Sequence, residues 1–240
     1  MTITTPRMAA TIERRLLVNY RVQPDAIAPI LPDGLRPQLV DGSAVAGVCL
    51  IRLAHFRPAW FAPRAGHRSE SAAHRIAVEW DGPRGVRTGV FIPRRHSASR
   101  LARAAGGRVF PGVHEAARVT SIESHDSVHV TVTSTDLRVD VAVDVTEPAH
   151  FRSSLFADVD QASEFFRKDA VGLSPTRSLG LEGLRLDTDA WRVQPGHIRH
   201  AASSFFDGLP TGAAELDHVL IMRAVPVVWS AERHADHWRR

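Results

Sequence analysis

Along most of this chain, apolar and polar residues alternate with the two-residue period of a strand, and seldom with a helical period. In Ser71–Trp80, His74, Ile76, Val78 and Trp80 share one side, and Arg75, Ala77 and Glu79 the other. Ser127–Ser134 and Leu137–Val145 place valine at every second position, and the short connectors His125-Asp126 and Thr135-Asp136 predict an antiparallel meander. Their polar alternate face meets either solvent or a barrel lumen. Ser43–Phe56 is nearly continuously apolar, which predicts a central strand covered on both faces, entered through an Asp41-Gly42 hairpin. Arg15–Val22, Glu115–Glu123, Ser178–Leu186, Ala190–Val193 and Val219–Val228 add further strands, the last with Pro226 near its end. Helical patterns are short: Pro24–Leu31, Ser97–Ala105 and Asp160–Asp169. The expected architecture is therefore mainly β (α+β), antiparallel, with a few short helices. Residues 1–14 read as a loose leader, 15–230 as a single domain and 231–240 as a polar, frayed tail.

Composition removes several function classes. The 240 residues hold 44% hydrophobic and 23% charged side chains, ordinary for a globular protein. Lys168 is the sole lysine, so arginine supplies nearly all the positive charge. Those arginines are scattered among acids and the formal charge is only +4, which argues against a nucleic-acid partner. No apolar run is long enough for a membrane-spanning helix, and no signal-peptide pattern opens the chain, so the expectation is a cytoplasmic protein without a membrane partner. The single cysteine, Cys49, excludes an internal disulfide and reads as a core thiol. There is no phosphate loop, dinucleotide fingerprint, HExxH or Gly-x-Ser-x-Gly, so no cofactor and no metal are expected. Thirteen histidines are scattered, and neither His197 with His200 nor His114-Glu115 with His74 has a secure ligand spacing. Self-association into a homo-oligomer is left open.

The stretch from Gly89 to Gly107 carries the candidate chemistry. A strand through Val90 and Ile92 ends at Pro93, which has no N–H to give a ladder. Arg94, Arg95 and His96 follow, then Ser97 as N-cap of a short helix and Gly106 at its C′ position. Two permanent cations beside a titratable ring make an anion seat; the alternative is a solvated basic corner. Upstream, Trp60 and Phe61 in the loop Pro58–Gly66 either cap a cavity or pack the loop down, packing being the expected role.

The segments RLLVNYRVQPDAIAPILPDGLRPQLVDGSAVAGVCLIRL, GHRSESAAHRIAVEW, GVFIPRRHSASRLARAAGGRVFPGVH, ASEFFRKDAVGLSP and TDAWRV together resemble, in order, blocks of the YqjF-like proteins of unknown function. The resemblance spans Arg15 to Trp229 and extends to the acetoacetate decarboxylase superfamily. It implies a partly open antiparallel β-barrel with a ligand cavity inside. In those decarboxylases the reactive group is a lysine in a Pro-Lys-Lys segment, activated by a neighbouring cation and a hydrophobic pocket. Here the similar segment is Pro93-Arg94-Arg95, and a guanidinium cannot form a Schiff base. The resemblance thus implies a small anionic ligand, a carboxylate or keto acid, held by Arg94 or Arg95 with His74 and His96 nearby. Glu70 resembles the cavity carboxylate, as acid or base or as a structural partner of arginine. Three functions stay open: a binding protein, a lyase, hydratase or cyclase without imine chemistry, and an interaction module.

Overall fold

Long strands buried on both faces organise the molecule. In a computed structural model, residues 7–62, 66–105, 112–168, 170–176 and 180–232 are described. In chain order the strands are β1 (Met8–Val22), β2 (Arg36–Pro37), β3 (Leu39–Val40), β4 (Ser43–Pro58), β5 (His67–Gly82), β6 (Gly85–Phe91), β7 (Arg95–Ser97), β8 (His114–Ala116), β9 (Arg118–Glu123), β10 (Ser127–Thr133), β11 (Arg138–Val145), β12 (Val171–Pro175), β13 (Leu181–Asp187), β14 (Gln194–Ser203) and β15 (Ala214–Glu232). The helices α1 (Pro24–Ile27), α2 (Arg100–Ala105), α3 (Val159–Lys168) and α4 (Ser204–Asp207) are all short.

Hydrogen bonding closes a ring in the order β1-β4-β5-β6-β12-β13-β15 and back to β1. Every pair in it is antiparallel except the brief β6–β12 contact at Gly172–Val90 and Leu173–Phe91. That seam makes the ring irregular. From β15 a second sheet branches, β14-β11-β10-β9, and folds back over the outside of β1, β4 and β5. These three strands therefore have an inner face lining the ring and an outer face against the second sheet, which is why Leu16–Tyr20 and Ala44–Leu50 are buried without a break.

The outer core is built from Leu16, Val18, Val48, Leu50, Ile76 and Val78 against the valines of β10 and β11. Six of those valines (128, 130, 132, 139, 141 and 143) are at most 1% exposed, while their polar neighbours His129, Thr131 and Asp140 stay partly exposed. The alternate face of this meander thus meets solvent and not a lumen.

Several boundaries differ from expectation. Residues 8–14, expected as a loose leader, are strand: Met8–Arg14 pairs with both β15 and β4, and Ile12 is fully buried. Alternating Thr, Glu and Arg hid this strand because the charged side chains find partners on distant strands, Arg14 with Glu70 and Glu123 and Glu13 with Arg68. At the other end β15 runs to Glu232, and the rest of the expected tail lies outside the described residues. Ala190–Val193 is a loop fixed by side chains, with Trp191 donating to Ser163 Oγ (3.0 Å); the strand starts only at Gln194. Helix α2 is capped by Ser99, whose Oγ accepts from Ala102 N, and not by Ser97, and Gly106 lies outside the described residues. No helix among the described residues is long and apolar enough to cross a membrane.

Candidate ligand cavity

The inner face of the ring encloses a cavity of about 210 Å³. Strand pairing sets its floor in rows across β1, β4, β5 and β7. One row is Leu17, Cys49, Ala73 and Arg95; on one side of it lie Arg15, Ile51 and Ser71, on the other Asn19, Gly47 and Arg75. Apolar side chains from Val90, Ile92, Leu184 and Trp229 wall it, and Phe166 from α3 closes one end. Leu101 of α2 also lines the space while 60% exposed, so the cavity opens to solvent beside that helix.

Arg15, Arg75 and Arg95 reach into this space, and no Asp or Glu lines it among the described residues. Each guanidinium is held by neutral groups. Arg15 Nε donates to Cys49 Sγ at 3.2 Å and Nη1 approaches Met222 Sδ at 3.9 Å. Arg95 donates from Nε and Nη2 to Ser174 Oγ (3.2 and 2.9 Å). Arg75 donates to Asn19 Oδ1 and lies over the Phe166 ring, 4.4 Å from its centroid. Its Nε is buried with no partner. Burial pulls Arg75 down to about 9, with the charge of Arg15 adding to the effect, and pulls Arg95 to about 10. Both remain protonated at neutral pH. His114, at the Arg95 end, is pushed down to about 4 by burial and then by the Arg95 charge, so its ring is neutral. Its Nδ1 is buried and unpartnered.

Two glycines make room for these arginines. A Cβ at Gly47 would sit 2.4 Å from Val18 O and 3.1 Å from Asn19 Oδ1, so only glycine lets Asn19 and Arg75 meet across β4. Gly112 has φ +87°, and a Cβ there would lie 2.7 Å from Arg95 Nε. Behind Asn19 a buried chain continues outward. Asn19 Nδ2 donates to His218 Nε2 (2.9 Å), and His218 Nδ1 donates to Asp217 Oδ2 (2.6 Å). Hydrogen bonds from His218, Ser153 and Ser154 hold the Asp217 carboxyl well below the usual carboxylate range, despite its burial. Asn19 is thereby fixed with its oxygen towards Arg75.

The residues singled out in the sequence divide between the two faces. Arg95 lines the cavity. Arg94, next to it, turns outward, is 59% exposed and pairs with Asp136. His74 belongs to the outer core: Nε2 shares a hydrogen bond with Ser203 Oγ (2.8 Å), and the ring stacks on Phe205. His96 is buried on that side too, 3.2 Å from Asp136. Glu70 and His74 do share a face, because β5 starts at His67, but it is the outer one. The Glu70 carboxylate bonds Arg14 (2.6 Å) and Arg52 (2.5 Å), which also hold Glu123 (each 2.7 Å), beside an open groove at the cavity mouth. The expected acid or base is thus a partner in an ion cluster outside the cavity. His96, Glu115 and Asp136 have donor atoms close enough to share a cation, but Arg94, His96 and Ser134 already occupy the Asp136 oxygens. Trp60 is 80% exposed and Phe61 45%, the two rings packing edge-on against each other; neither lines the cavity, and neither is packed down as expected. Lys168 is exposed at the end of α3.

Sequence reading missed Arg15, Arg75, Cys49 and His114. The signal was present in Arg75, a cation between Ala73 and Ala77 in a strand whose other face was already apolar.

Comparison with known proteins agrees with this architecture. Residues 9–225 match the DUF2071 family, described as an uncharacterised conserved protein. No curated protein matches the chain in sequence. Acetoacetate decarboxylase from Legionella pneumophila superposes with a TM-score of 0.60 at 12% identity, covering 97% of this chain and 89% of that one. An acetoacetate decarboxylase-like enzyme from Sphingomonas wittichii gives 0.58 at 15% identity, covering 95% and 92%. The enduracididine biosynthesis enzyme MppR, solved complexed with pyruvate, gives 0.57 at 13% identity, covering 97% and 91%. At such identities the likeness is one of fold, the acetoacetate decarboxylase-like fold.

Proposed function

We propose that this chain, which belongs to the DUF2071 family, binds a small carboxylate or keto acid inside its strand ring, held by Arg95, Arg75 and Arg15 through ionic contacts and not through a Schiff base. One observation carries this reading: three guanidinium groups line a cavity whose described lining contains no acid. Buried cations without counter-charge are costly, and an anion of matching shape removes that cost through charge-assisted, bidentate hydrogen bonds. The solved complex of MppR with pyruvate supports the choice of anion by analogy of fold. The sole lysine, Lys168, is exposed outside the cavity, and arginine offers no neutral amine for an imine. A second reading, a lyase, hydratase or cyclase acting on a keto acid, rests on His114. Its neutral ring beside Arg95, with a free Nδ1, is an acid–base group within the cavity, a role that Glu70 is too far engaged to fill.

The test is thermal unfolding with pyruvate and acetoacetate on the wild type and on Arg75→Met/Arg95→Met, with borohydride trapping in parallel. The expected result is stabilisation of the wild type by both acids, its loss in the double variant, and no reduced adduct. Equal stabilisation of both proteins would move the site elsewhere, and a borohydride-stable adduct on Lys168 would restore imine chemistry.

A further inference from the structure

We propose that the occupant of this cavity is a dicarboxylate, each of its carboxylates received by a separate seat. The proposal rests on the anion-binding reading above and adds the number and placement of the charges. Arg75 and Arg95 start from the paired strands β5 and β7, but their guanidinium groups are anchored on different walls of the ring. Arg75 and Arg15 form the first seat: Arg75 is anchored to Asn19 on β1, and Arg15 reaches the Cys49 sulfur on β4. Arg95 forms the second: it is anchored to Ser174 on β12, beside His114 of β8. In the ring, β1 and β12 lie on opposite sides, separated by β4, β5 and β6 one way and by β13 and β15 the other.

Each seat also has an unused buried polar atom, Arg75 Nε in the first and His114 Nδ1 in the second. Beside the two seats the floor carries Leu17 and Ala73, and the walls Val90, Ile92 and Leu184 are apolar. A monocarboxylate would neutralise one seat and leave the other a desolvated cation. A ligand with an aliphatic middle and an anion at each end satisfies both seats and the apolar surface beside them.

The experiment is isothermal titration of the wild type, Arg75→Met and Arg95→Met with succinate, glutarate and adipate, each compared with its monomethyl ester. For at least one chain length the diacid is expected to bind roughly 10-fold or more tightly than its ester, the gain of a second charge-assisted contact. Each single variant is expected to bring diacid and ester together. If the wild type binds the esters as tightly as every diacid, there is one seat; this proposal is overturned and the anion reading stands. If neither class binds, both fail. The wild-type comparison needs no variant to fold.

Discussion

Arg14 and Arg15 are neighbours in sequence and opposites in environment, and the contrast runs across the whole molecule. On the outer face of β1, β4 and β5, arginine is balanced: Arg14 and Arg52 interlock with Glu70 and Glu123. On the inner face, Arg15, Arg75 and Arg95 meet only neutral partners among the described residues. The same alternation separates His74 from Arg75 and Arg94 from Arg95. Balanced charge holds two sheets together; unbalanced charge surrounds an open space. The fold thus sets one residue type in two environments, chosen by strand parity.

The sharpest way to break this contrast is to remove one arginine from each face. Arg14 is 1% exposed, and Arg14→Met would leave Glu70 and Glu123 sharing only Arg52. The expected loss in urea unfolding is about 3 kcal/mol, at the low end for a broken buried pair because both glutamates retain some solvent. Arg75→Met should behave differently. It ends the repulsion from Arg15 and the cost of burying a cation, at the expense of one unpaired Asn19 oxygen, so stability should stay within about 1 kcal/mol of wild type. Equal destabilisation by the two substitutions would mean that the inner arginines are structural after all.

A second test asks whether the outer face rejects an isolated charge. Burial, and then the charge of His96, disfavour protonated His74, and only the pull of Asp136 favours it; together they lower it from 6.5 to about 3. Between those values the unfolded chain binds a proton that the folded chain refuses. Stability is therefore full above about pH 6.5 and falls on acidification, by roughly 1.4 kcal/mol per pH unit from this group. Gln at this position can keep the bond to Ser203 without titrating. Urea unfolding of His74→Gln from pH 7 to 4 should show a shallower slope than wild type. Identical slopes would show that His74 is readily protonated in place.

Much of this arrangement was legible in the chain because β-periodicity is a local signal. The continuous apolar run of β4 announced a strand covered twice, and the valine alternation of β10 and β11 announced a meander. Which face of β5 would meet a cavity was not legible. Parity separates Glu70 and His74 from Arg75, but only the return of β9, β10 and β11 over the outer side decides which set is enclosed. That return is a long-range event, so the resemblance to Pro-Lys-Lys drew attention to Arg94 and Arg95 equally, and strand geometry alone chose Arg95. Residues such as Asn19, Gly47 and His218 looked unremarkable singly; their role exists only across paired strands. Met8–Arg14 was hidden for a related reason, since its charged residues are satisfied by ion pairs with distant strands.

The smallest expected effect reads the inner field directly. Cys49 is the sole cysteine, so one added mass reports one site, and its sulfur faces the cavity with Arg15 Nε at 3.2 Å. Iodoacetamide and iodoacetate transfer similar groups to sulfur, differing chiefly in charge. In simple thiols the neutral reagent reacts faster, because an anion is repelled by a thiolate. Inside a cavity bearing Arg15, Arg75 and Arg95 that order should invert by a few-fold, since the carboxylate is drawn to the guanidinium groups before the sulfur displaces iodide. Pyruvate should slow the anionic reagent more than the neutral one by competing for the same charge, and Arg75→Met should shrink the preference without abolishing labelling. A wild-type protein that still favours iodoacetamide would show that the three inner arginines do not act together on an entering anion, and the contrast between the two faces would then be one of pairing alone.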